Sequence, residues 1–538
     1  MYDYDSKVDT YTHLHVHSSY SLLDGIGKPS DNAKRAADIG MQALALTDHG
    51  SCAGLYEFQT ACDKYGVKPI LGNEFYFVED KDVKGLTDVE KEGLSREEQK
   101  EKQKQRQANP HLILLAETDE GLRNIYRLNY YANKDGFYGK PRIDLSLLAQ
   151  HNEGLIATTT CIISPFAKYY FNGETEKMRT LFNKMYNIFG KDRYFVELHP
   201  HEKFSYRDNG GDQHAQREYN FAMVEMFRKN YDIRCVLAND AHYPEKKHAD
   251  VHGFMLNVNT NGKFDETNCK NLYIAPEEDM RRFWHDNGHH ECIDNSILDE
   301  AIETTKEIAT RCHARIDVDS LKEPKFSVPS GYDNNRQYIL KLLKDSLMSK
   351  VESGIIPEEK TDAYIERVKT ELDLIHSKGY VDYFLLTRDF CNWAEENDIV
   401  QSPGRGSAAG SLICWLLGIT RVDPIKYDLF FERFMNPERI KEPDIDNDFQ
   451  DSRRQDVKDY VAKKWGSANI ASCCAYSRYT VNTLLREVLK HYEVDFKTSN
   501  KIAKSISGHV SLNKDMANIT DIMKDNKTVR EFLISPPY

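Results

Sequence analysis

The stretch HLHVHSSYSLLDG, residues 13–25, decides the fold of the first half of the chain. Its histidines alternate with Leu14 and Val16, and residues two apart on a strand point to the same face. The pattern predicts a strand over 12–18 that presents His15 and His17 side by side. A strand rich in histidine is more often structural or exposed than metal-bound, so a metal site requires further ligands from elsewhere in the sequence.

Six more short apolar stretches follow this one and are separated mostly by helical patterns. They predict strands over 41–48, 68–78, 111–117, 153–160, 193–200 and 233–240. Strands that alternate with helices pair in parallel, and a closed β/α barrel of seven strands is the economical arrangement. The carboxyl ends of the strands then meet at one rim of the barrel, where reactive side chains gather.

Side chains able to bind metals lie at the ends of these predicted strands. They are Asp48 and His49 after the second strand, Glu74 in the third, Cys161 after the fifth, and Asp240 and His242 after the last. Imidazole, carboxylate and one thiolate suit zinc, manganese or iron, and so many ligands could serve several ions.

These motifs resemble those of the PHP (polymerase and histidinol phosphatase) domain, a metal-dependent phosphoesterase barrel, over roughly residues 10–270. The resemblance implies nine ligands, filled here by His15, His17, Asp24, His49, Glu74, His111, Cys161, Asp240 and His242. It implies up to three ions, Zn²⁺ or Mn²⁺/Fe²⁺, that activate a water, and with them a 3′–5′ proofreading exonuclease. A centre that binds metal only to stabilise the fold is an equally good alternative.

A second motif, SPGRGSAAGSLICWLLGIT (402–420), is a glycine-rich turn before an apolar helix. It lacks the lysine of a Walker A loop, so it is not a P-loop. Gly404, Gly406 and Ser407 are expected to leave backbone N–H groups free for phosphate at a helix start, and Arg405 adds a charged donor. A tight turn before a buried helix explains the pattern equally well.

Further along, KEPDIDNDFQ (441–450) places Asp444, Asp446 and Asp448 at alternate positions of a predicted strand. Carboxylates this close repel one another unless cations lie between them. A phosphate-binding turn followed by an Asp-x-Asp strand is the arrangement of nucleotidyltransferases, in which the aspartates hold two Mg²⁺ ions.

The run from Asp382 to Phe449 resembles the palm of the C-family replicative polymerases, the bacterial DNA polymerase III alpha family. The resemblance implies a catalytic pair, Asp444 and Asp446, with Gly406 and Ser407 on the nucleotide phosphates and Asp448 as a structural residue. It implies primer–template DNA and deoxynucleoside triphosphates as substrates. The expected fold is α/β: a PHP barrel (1–270), a polymerase beta-like α+β palm (271–475) and a partial helical thumb (476–538).

The stretch after the palm, CCAYSRYTVNTLLREVLKHY (473–492), departs from the family's Phe-Gly-Thr-like turn. Arg478, Arg486 and Lys490 are candidates for contact with the DNA backbone, although a solvated helix face explains the last two as well. The family's third carboxylate lies in a Lys-Phe-Asp-Phe-Leu-Gly-like motif that this sequence lacks, and Asp495 comes too early to replace it. We therefore expect a complementing C-terminal polypeptide, through which a sliding clamp and other replisome subunits would bind.

Composition adds further limits. The chain has 538 residues, a formal net charge of −13 and 11 scattered cysteines without a CxxC pair. These features predict a cytoplasmic protein of several domains with reduced thiols and no membrane span. The mixed-charge insertion 79–107 predicts an exposed helix or loop. Two other functions stay open: a stand-alone PHP phosphoesterase or nuclease whose palm remnant only binds nucleic acid, and a non-catalytic scaffold.

Overall fold

The computed structural model describes residues 7–106, 109–201, 216–260, 270–317, 324–438, 443–472, 474–507 and 526–528. The chain divides into two compact units, Met1–Asp317 with Arg478–Tyr538, and Val318–Ser477. The domain limits at 270 and 475 remain predictions. Much of the predicted thumb, 508–525 and 529–538, lies outside the described residues.

A seven-stranded sheet forms the centre of the first unit. Its strands are Ala43–Leu46 (β1), Lys68–Phe77 (β2), His111–Ala116 (β3), Arg142–Ile143 (β4), Leu155–Thr158 (β5), Tyr194–Leu198 (β6) and Cys235–Leu237 (β7). The strand order is β1-β2-β3-β5-β6-β7, with β4 beside the end of β2. The predicted α/β fold class is confirmed.

Helices flank these strands and make up most of the second unit. In the first unit they are Pro29–Asp38 (α1), Leu55–Tyr65 (α2), Asp88–Lys91 (α3), Arg96–Arg106 (α4), Asp119–Lys134 (α5), Leu145–Gln150 (α6), Pro165–Phe171 (α7), Thr175–Phe189 (α8), Gln216–Met223 (α9), Lys229–Tyr231 (α10), Ala249–Thr260 (α11), Glu277–Asp286 (α12) and Asn295–Arg311 (α13). The second unit contains Asn335–Glu352 (α14), Thr361–Ser377 (α15), Val381–Glu396 (α16), Leu412–Leu416 (α17) and Arg454–Trp465 (α18). Val481–His491 (α19) and Phe496–Ser507 (α20) group with the first unit.

Strand β3 runs antiparallel to both of its neighbours, so the prediction of uniformly parallel pairing is wrong here. Tyr76 of β2 pairs with His111, and Leu115 pairs with Ile156 of β5. For β3 to be parallel to β2, a crossover connection would have to return the chain to the end of the sheet at which β2 begins. The segment between β2 and β3 instead forms the largely exposed α3 and α4, and the chain re-enters the sheet at the end where β2 finishes.

The histidine-rich segment 12–18 is not a regular strand, contrary to the prediction, but it closes the barrel. Val16 makes a single parallel bridge to Ala241, just after β7. On its other side its backbone accepts hydrogen bonds from β1 and the residue after it: Ala45 N to His13 O at 2.9 Å and Thr47 N to Val16 O at 2.8 Å. The segment thus joins the two edges of the sheet. The sheet still has seven strands, because it contains the short strand β4 (Arg142–Ile143), which was not predicted.

The interior of this barrel is apolar at one end and polar at the other. Small and branched side chains fill the apolar end, where Ile308 of α13 and Cys312, just after that helix, pack with Ile70, Phe195 and Val236. Because side chains alternate along a strand, Glu74 lies on the same face as Ile70, and Glu197 on the same face as Phe195. The apolar layer therefore supports a layer of buried polar residues at the other end.

The second unit is helical around its own core of residues from α14, α15, α16 and α17. The predicted long helix over 358–378 is confirmed as α15. The acidic stretch is extended, but it forms one antiparallel bridge, Gln401 to Phe449, rather than the predicted strand. Residues 439–442, which precede it, lie outside the described residues.

Two predictions from composition concern the whole chain. Among the described residues, none of the helices combines the length and apolarity needed to cross a membrane. The nine cysteines in the described part of the chain are all free thiols. The mixed-charge insertion is confirmed as mostly exposed helices, α3 and α4.

Candidate functional site

All nine predicted ligands come together at the polar end of the barrel. His15 and His17 lie on the closing segment, Asp24 on the loop after it, and the others at strand ends or in the loops that follow them. His111 is at the start of β3, a position that argues against a ligand if the strand is parallel. Because β3 is antiparallel, its first residue lies at the same rim as the last residues of β2.

The inner part of this cluster surrounds His15. Its Nε2 atom lies 3.0 Å from Asp240 Oδ1, 3.2 Å from Glu74 Oε1 and 3.2 Å from His17 Nε2. His17 Nε2 is also 3.2 Å from the same Asp240 oxygen. The two imidazoles and Glu74 are fully buried, so these donor atoms face one another rather than solvent.

The outer part of the cluster continues from Glu74 and Asp24. His111 Nδ1 is 3.0 Å from Glu74 Oε1, and the other carboxylate oxygen contacts His49. Cys161 Sγ lies 4.0 Å from both Glu74 Oε1 and His111 Nδ1. Asp24 lies 3.2 Å from His49 Nε2 and 3.5 Å from His242 Nε2.

This arrangement fits metal ions better than a closed hydrogen-bond network. Glu74 Oε2 and His49 Nδ1 contact each other, and Asp240 Oδ1 lies 3.0 Å from His15 Nε2 and 3.2 Å from His17 Nε2, yet none of these buried atoms has a hydrogen bond of normal geometry within the described residues. Buried polar atoms almost always form hydrogen bonds of normal geometry, so donor atoms that converge without them indicate a shared partner such as a metal ion. Among the described residues, three groups of three ligand atoms within 4.8 Å of one another lie wholly in the cluster, and two more include the neighbouring Glu197, His199 and His252. Nitrogen, oxygen and sulfur donors together suit zinc, manganese or iron.

Electrostatic interactions within the cluster keep its buried carboxylates ionised. Burial would raise the pKa of Glu74, but His111, His49 and His15 hold it well below its usual value. Burial also opposes a charge on His49, yet Glu74 and Asp24 raise its pKa to about 10. His17 behaves differently, because burial and the neighbouring His49 and His242 lower its pKa to about 3. His17 is therefore a neutral imidazole at pH 7.

Three buried residues near the cluster were missed by the sequence analysis. Glu197 and His199 alternate on and just after β6 as His15 and His17 do on their segment, which was the available signal. His252 of α11 lies 3.3 Å from Asp24 Oδ1, but a single histidine in a helix gives no signal in the sequence. Conversely, Asp48 does not face the cluster, because it accepts hydrogen bonds from the backbone N–H and hydroxyl of Ser18 and from the hydroxyl of Ser21.

In the second unit the three aspartates of the acidic stretch alternate with inward-facing residues. Ile445 is buried and its backbone N–H donates to the Tyr383 hydroxyl, whereas Asp444 and Asp448 are exposed and Asp446 is partly so. Arg405 pairs with two of the carboxylates, at 3.1 Å from Asp446 and 2.9 Å from Asp448. The carboxylates thus point outward, as expected of side chains that bind metal ions in contact with a substrate.

The glycine-rich turn lies against this acidic stretch. Gly406 has φ of +67°, and a Cβ atom there would come within 3.3 Å of Asp446 Oδ2. Gly404 has φ of +114° and would place a Cβ 3.0 Å from Thr420. Both positions therefore need glycine, and the turn reaches Asp446 through bare backbone. Ser407 follows in the 3₁₀ helix Gly406–Gly410.

The N–H group of Gly404 donates to Ser402 Oγ at 3.1 Å, so it is not free, whereas free N–H groups at Gly406 and Ser407 remain a prediction. At α17, the helix that follows, the first backbone N–H groups are already bonded. Glu371 of α15 is buried and accepts from the backbone N–H groups of Leu412 and Ile413 at 2.9 and 3.1 Å and from the Ser411 hydroxyl at 2.8 Å. The positive end of α17 is thus neutralised by the protein's own carboxylate. Burial raises the pKa of Glu371, although these hydrogen bonds oppose the shift.

The residues predicted to contact DNA belong to α19 and the segment before it. Arg478, Arg486 and Lys490 are all exposed, and the last two lie one turn apart on α19. Asp495 is the N-terminal cap of α20, since it accepts hydrogen bonds at 3.0 Å from the backbone N–H groups of Lys497 and Thr498. Its structural role agrees with its rejection as a third metal ligand.

Two family models match parts of the chain. The family model described as PHP domain matches residues 13–201, and the one described as bacterial DNA polymerase III alpha NTPase domain matches residues 337–535. Among solved structures, an amidohydrolase from Chromobacterium violaceum aligns with 43% of this chain and 87% of its own at 13% identity. Its TM-score of 0.25 is too low to define a shared fold.

Relatives that align with most of this chain include proteins named DNA polymerase III subunit alpha. The one from Aquifex aeolicus is 34% identical over 507 residues, which are 92% of this chain and 41% of the relative. Those from Helicobacter pylori and Treponema pallidum are 31% and 33% identical, and the alignments cover 93% and 89% of this chain and 40% and 38% of the relatives. The chain thus spans about two fifths of the length of these relatives. It is a homologue of the bacterial DNA polymerase III alpha subunits, with a PHP domain followed by the NTPase domain of that family.

Proposed function

We propose that the chain is part of a replicative DNA polymerase and adds deoxynucleotides to a primer 3′-hydroxyl. The observation that carries this proposal is the outward face of Asp444 and Asp446, approached by the bare backbone of Gly406, in a homologue of polymerase subunits. Carboxylate oxygens on a partly exposed surface are the donors that Mg²⁺ prefers, because this ion keeps several waters and shares substrate phosphates.

In this proposal each residue has a distinct task. Asp444 and Asp446 would hold Mg²⁺, which in such sites neutralises the triphosphate and favours attack by the primer hydroxyl. Gly404, Gly406 and Ser407 would allow phosphate to approach the backbone, and Arg405 would add a charged donor to it. Asp448 would hold Arg405 in place. A third carboxylate, the clamp and other replisome contacts would come from a C-terminal polymerase polypeptide, and Arg478, Arg486 and Lys490 would contact primer–template DNA.

Binding of a fluorescent deoxynucleoside triphosphate with Mg²⁺ tests the polymerase site. Asp446→Asn should weaken binding about tenfold or more, a loss of about 1.4 kcal/mol, because one metal ligand loses its charge. Asp448→Asn is the matched control, since it removes the same charge two residues away, and its effect should stay within about threefold. Equal losses in the two variants, or none, would contradict the assignment.

We further propose that the nine-ligand cluster hydrolyses phosphodiesters at DNA 3′ ends. The observation that favours it is the convergence of buried imidazole, carboxylate and thiol groups at the polar end of the barrel. Bound Zn²⁺, Mn²⁺ or Fe²⁺ would supply a nucleophilic water and neutralise the phosphate. His15, His17, Glu74 and Asp240 would hold the inner ions, and Asp24, His49, His111, Cys161 and His242 the outer ones.

Degradation of end-labelled DNA separates the two activities. His15→Ala and Asp240→Ala should abolish metal-dependent 3′–5′ degradation, whereas Asp446→Asn should leave it unchanged. Degradation that survives both barrel variants would sink the nuclease proposal. Metal that binds tightly while DNA stays intact in every preparation would instead support a centre that only stabilises the fold.

A further inference from the structure

We propose that Glu197 is a positioning residue that fixes the tautomer and orientation of His15 for metal binding. This inference rests on the proposed metal centre and extends it beyond the nine ligands. Glu197 lies on β6, where its side chain is 1% exposed and lies beside the polar layer of the barrel interior. A carboxylate so deeply buried is costly unless its oxygens accept several hydrogen bonds.

The two oxygens of Glu197 have three partners. Oε1 lies 2.8 Å from His15 Nδ1 and 2.8 Å from His199 Nε2. Oε2 accepts from the Thr158 hydroxyl on the neighbouring strand β5. Because an ionised carboxylate can only accept hydrogen bonds, both imidazole nitrogens at Oε1 must carry protons.

In the neutral imidazole, which is the form that binds a metal ion, a proton on Nδ1 leaves the other nitrogen of His15 with a free lone pair. That atom, Nε2, is the one that faces Asp240, Glu74 and His17. Glu197 therefore presents the lone pair of His15 to the cluster and prevents the ring from flipping. A carboxylate behind a metal-binding histidine orients the ring and makes it more basic, and its loss commonly weakens metal affinity by about 10- to 100-fold.

His199 shares the same oxygen but does not face Nε2 of His15. Its ring stands edge-on to the His15 ring, with centroids 5.8 Å apart. We assign it as a second donor that holds the Glu197 carboxylate in place. Loss of His199 should consequently disturb metal binding less than loss of Glu197.

The test measures Co²⁺ affinity and its visible d–d spectrum in metal-free full chain reloaded with Co²⁺. Glu197→Gln and Glu197→Asp should each weaken Co²⁺ binding by about tenfold or more. Glu197→Gln removes the charge, and Glu197→Asp withdraws the carboxylate from His15. If only one of the two variants folds, its Co²⁺ affinity is sufficient to test the proposal. His199→Gln should stay within about threefold of the unchanged chain.

Glu371→Gln is the matched control, because it alters an equally buried carboxylate in the other unit and should leave Co²⁺ affinity unchanged. Circular dichroism and thermal unfolding show which variants fold. Glu197 variants that fold and bind Co²⁺ as the unchanged chain does would overturn the positioning role while leaving the metal centre intact. Failure of the unchanged chain to bind Co²⁺, Zn²⁺ or Mn²⁺ would overturn both proposals.

Discussion

At the scale of single residues, buried charged side chains do more to hold this structure together than exposed ones do. Glu371 shows this best, because one carboxylate organises the start of α17 and also accepts from Arg367 at 2.7 Å. Arg367 in turn donates to the carbonyls of Gly410 and Leu429. The glycine-rich turn is thus held from behind by an ion pair between the buried Glu371 and the half-buried Arg367.

Glu371→Ala should destabilise the second unit by about 3–5 kcal/mol, because it leaves Arg367 and two backbone N–H groups without their acceptor. Urea unfolding followed by tryptophan fluorescence measures the change. Asp373→Ala on the same helix is the matched control, since Asp373 forms only an exposed pair with Arg336 and should cost less than about 1 kcal/mol. Similar losses for both variants would show that the buried pair has no special weight.

His289 makes the stability of the first unit depend on pH. Burial lowers its pKa to about 4, and Arg217 and His199 also disfavour its charge, although its contact with the His201 carbonyl opposes the shift. Its ring is stacked on Trp284. Between pH about 6.5 and about 4 the unfolded chain takes up a proton here that the folded chain does not, so stability falls as pH falls.

The loss through His289 should reach about 3 kcal/mol at low pH, given about 1.4 kcal/mol for each unit of pKa shift. His289→Gln should make urea-unfolding stability less steep between pH 6.5 and pH 4. The adjacent, exposed His290 provides the control, because His290→Gln should leave the slope unchanged. An unaltered slope in His289→Gln would contradict this account.

At the scale of elements, direction matters as much as position. The periodicity of apolar residues located the central parts of six strands, because buried strands have a strong local signal. It could not give the direction of β3, which depends on where a long connection re-enters the sheet. The same missing information made His111 look out of place as a ligand, although its residue type was right.

Close packing of elements also escapes local patterns, and Gly121 is an example. It lies in the first turn of α5, where an added Cβ would approach Gly154 O to 1.9 Å. Gly121→Ala should therefore push α5 away from the turn before β5 and cost about 1–3 kcal/mol or more in chemical unfolding. Gly85→Ala, where the nearest atom is 3.7 Å away, should change stability by less than about 0.5 kcal/mol.

At the scale of the whole molecule, the two units should respond differently to loss of metal. The cluster gathers many buried charged and polar donors in the first unit, whereas the acidic face of the second is exposed. A ligand that binds only the folded form stabilises it by about 2.7 kcal/mol at a hundred times its Kd. Chelation should therefore lower the calorimetric transition of the first unit and leave that of the second in place.

The His15→Ala variant controls this experiment, because its first transition should already be low and should respond little to chelator. A first transition that is insensitive to chelator in the unchanged chain would contradict the prediction.

The amino-acid sequence indicated the predicted metal ligands of the barrel better than the residues that support them. Residue types and strand ends indicated seven of the nine predicted ligands, and the family resemblance added Asp24 and His111, but the supporting layer of Glu197, His199 and His252 depends on contacts between distant segments.

The closure of the barrel by residues 13–17 has a consequence for biosynthesis. Val16 leaves the ribosome early, but its partner Ala241 is made about 225 residues later. At about 5–20 residues per second this interval is on the order of 10 to 45 s. During that time His15 and His17 exist without Asp240, and their segment can pair with β1 but not yet with the chain after β7. The polar end of the barrel is therefore its last part to form during translation.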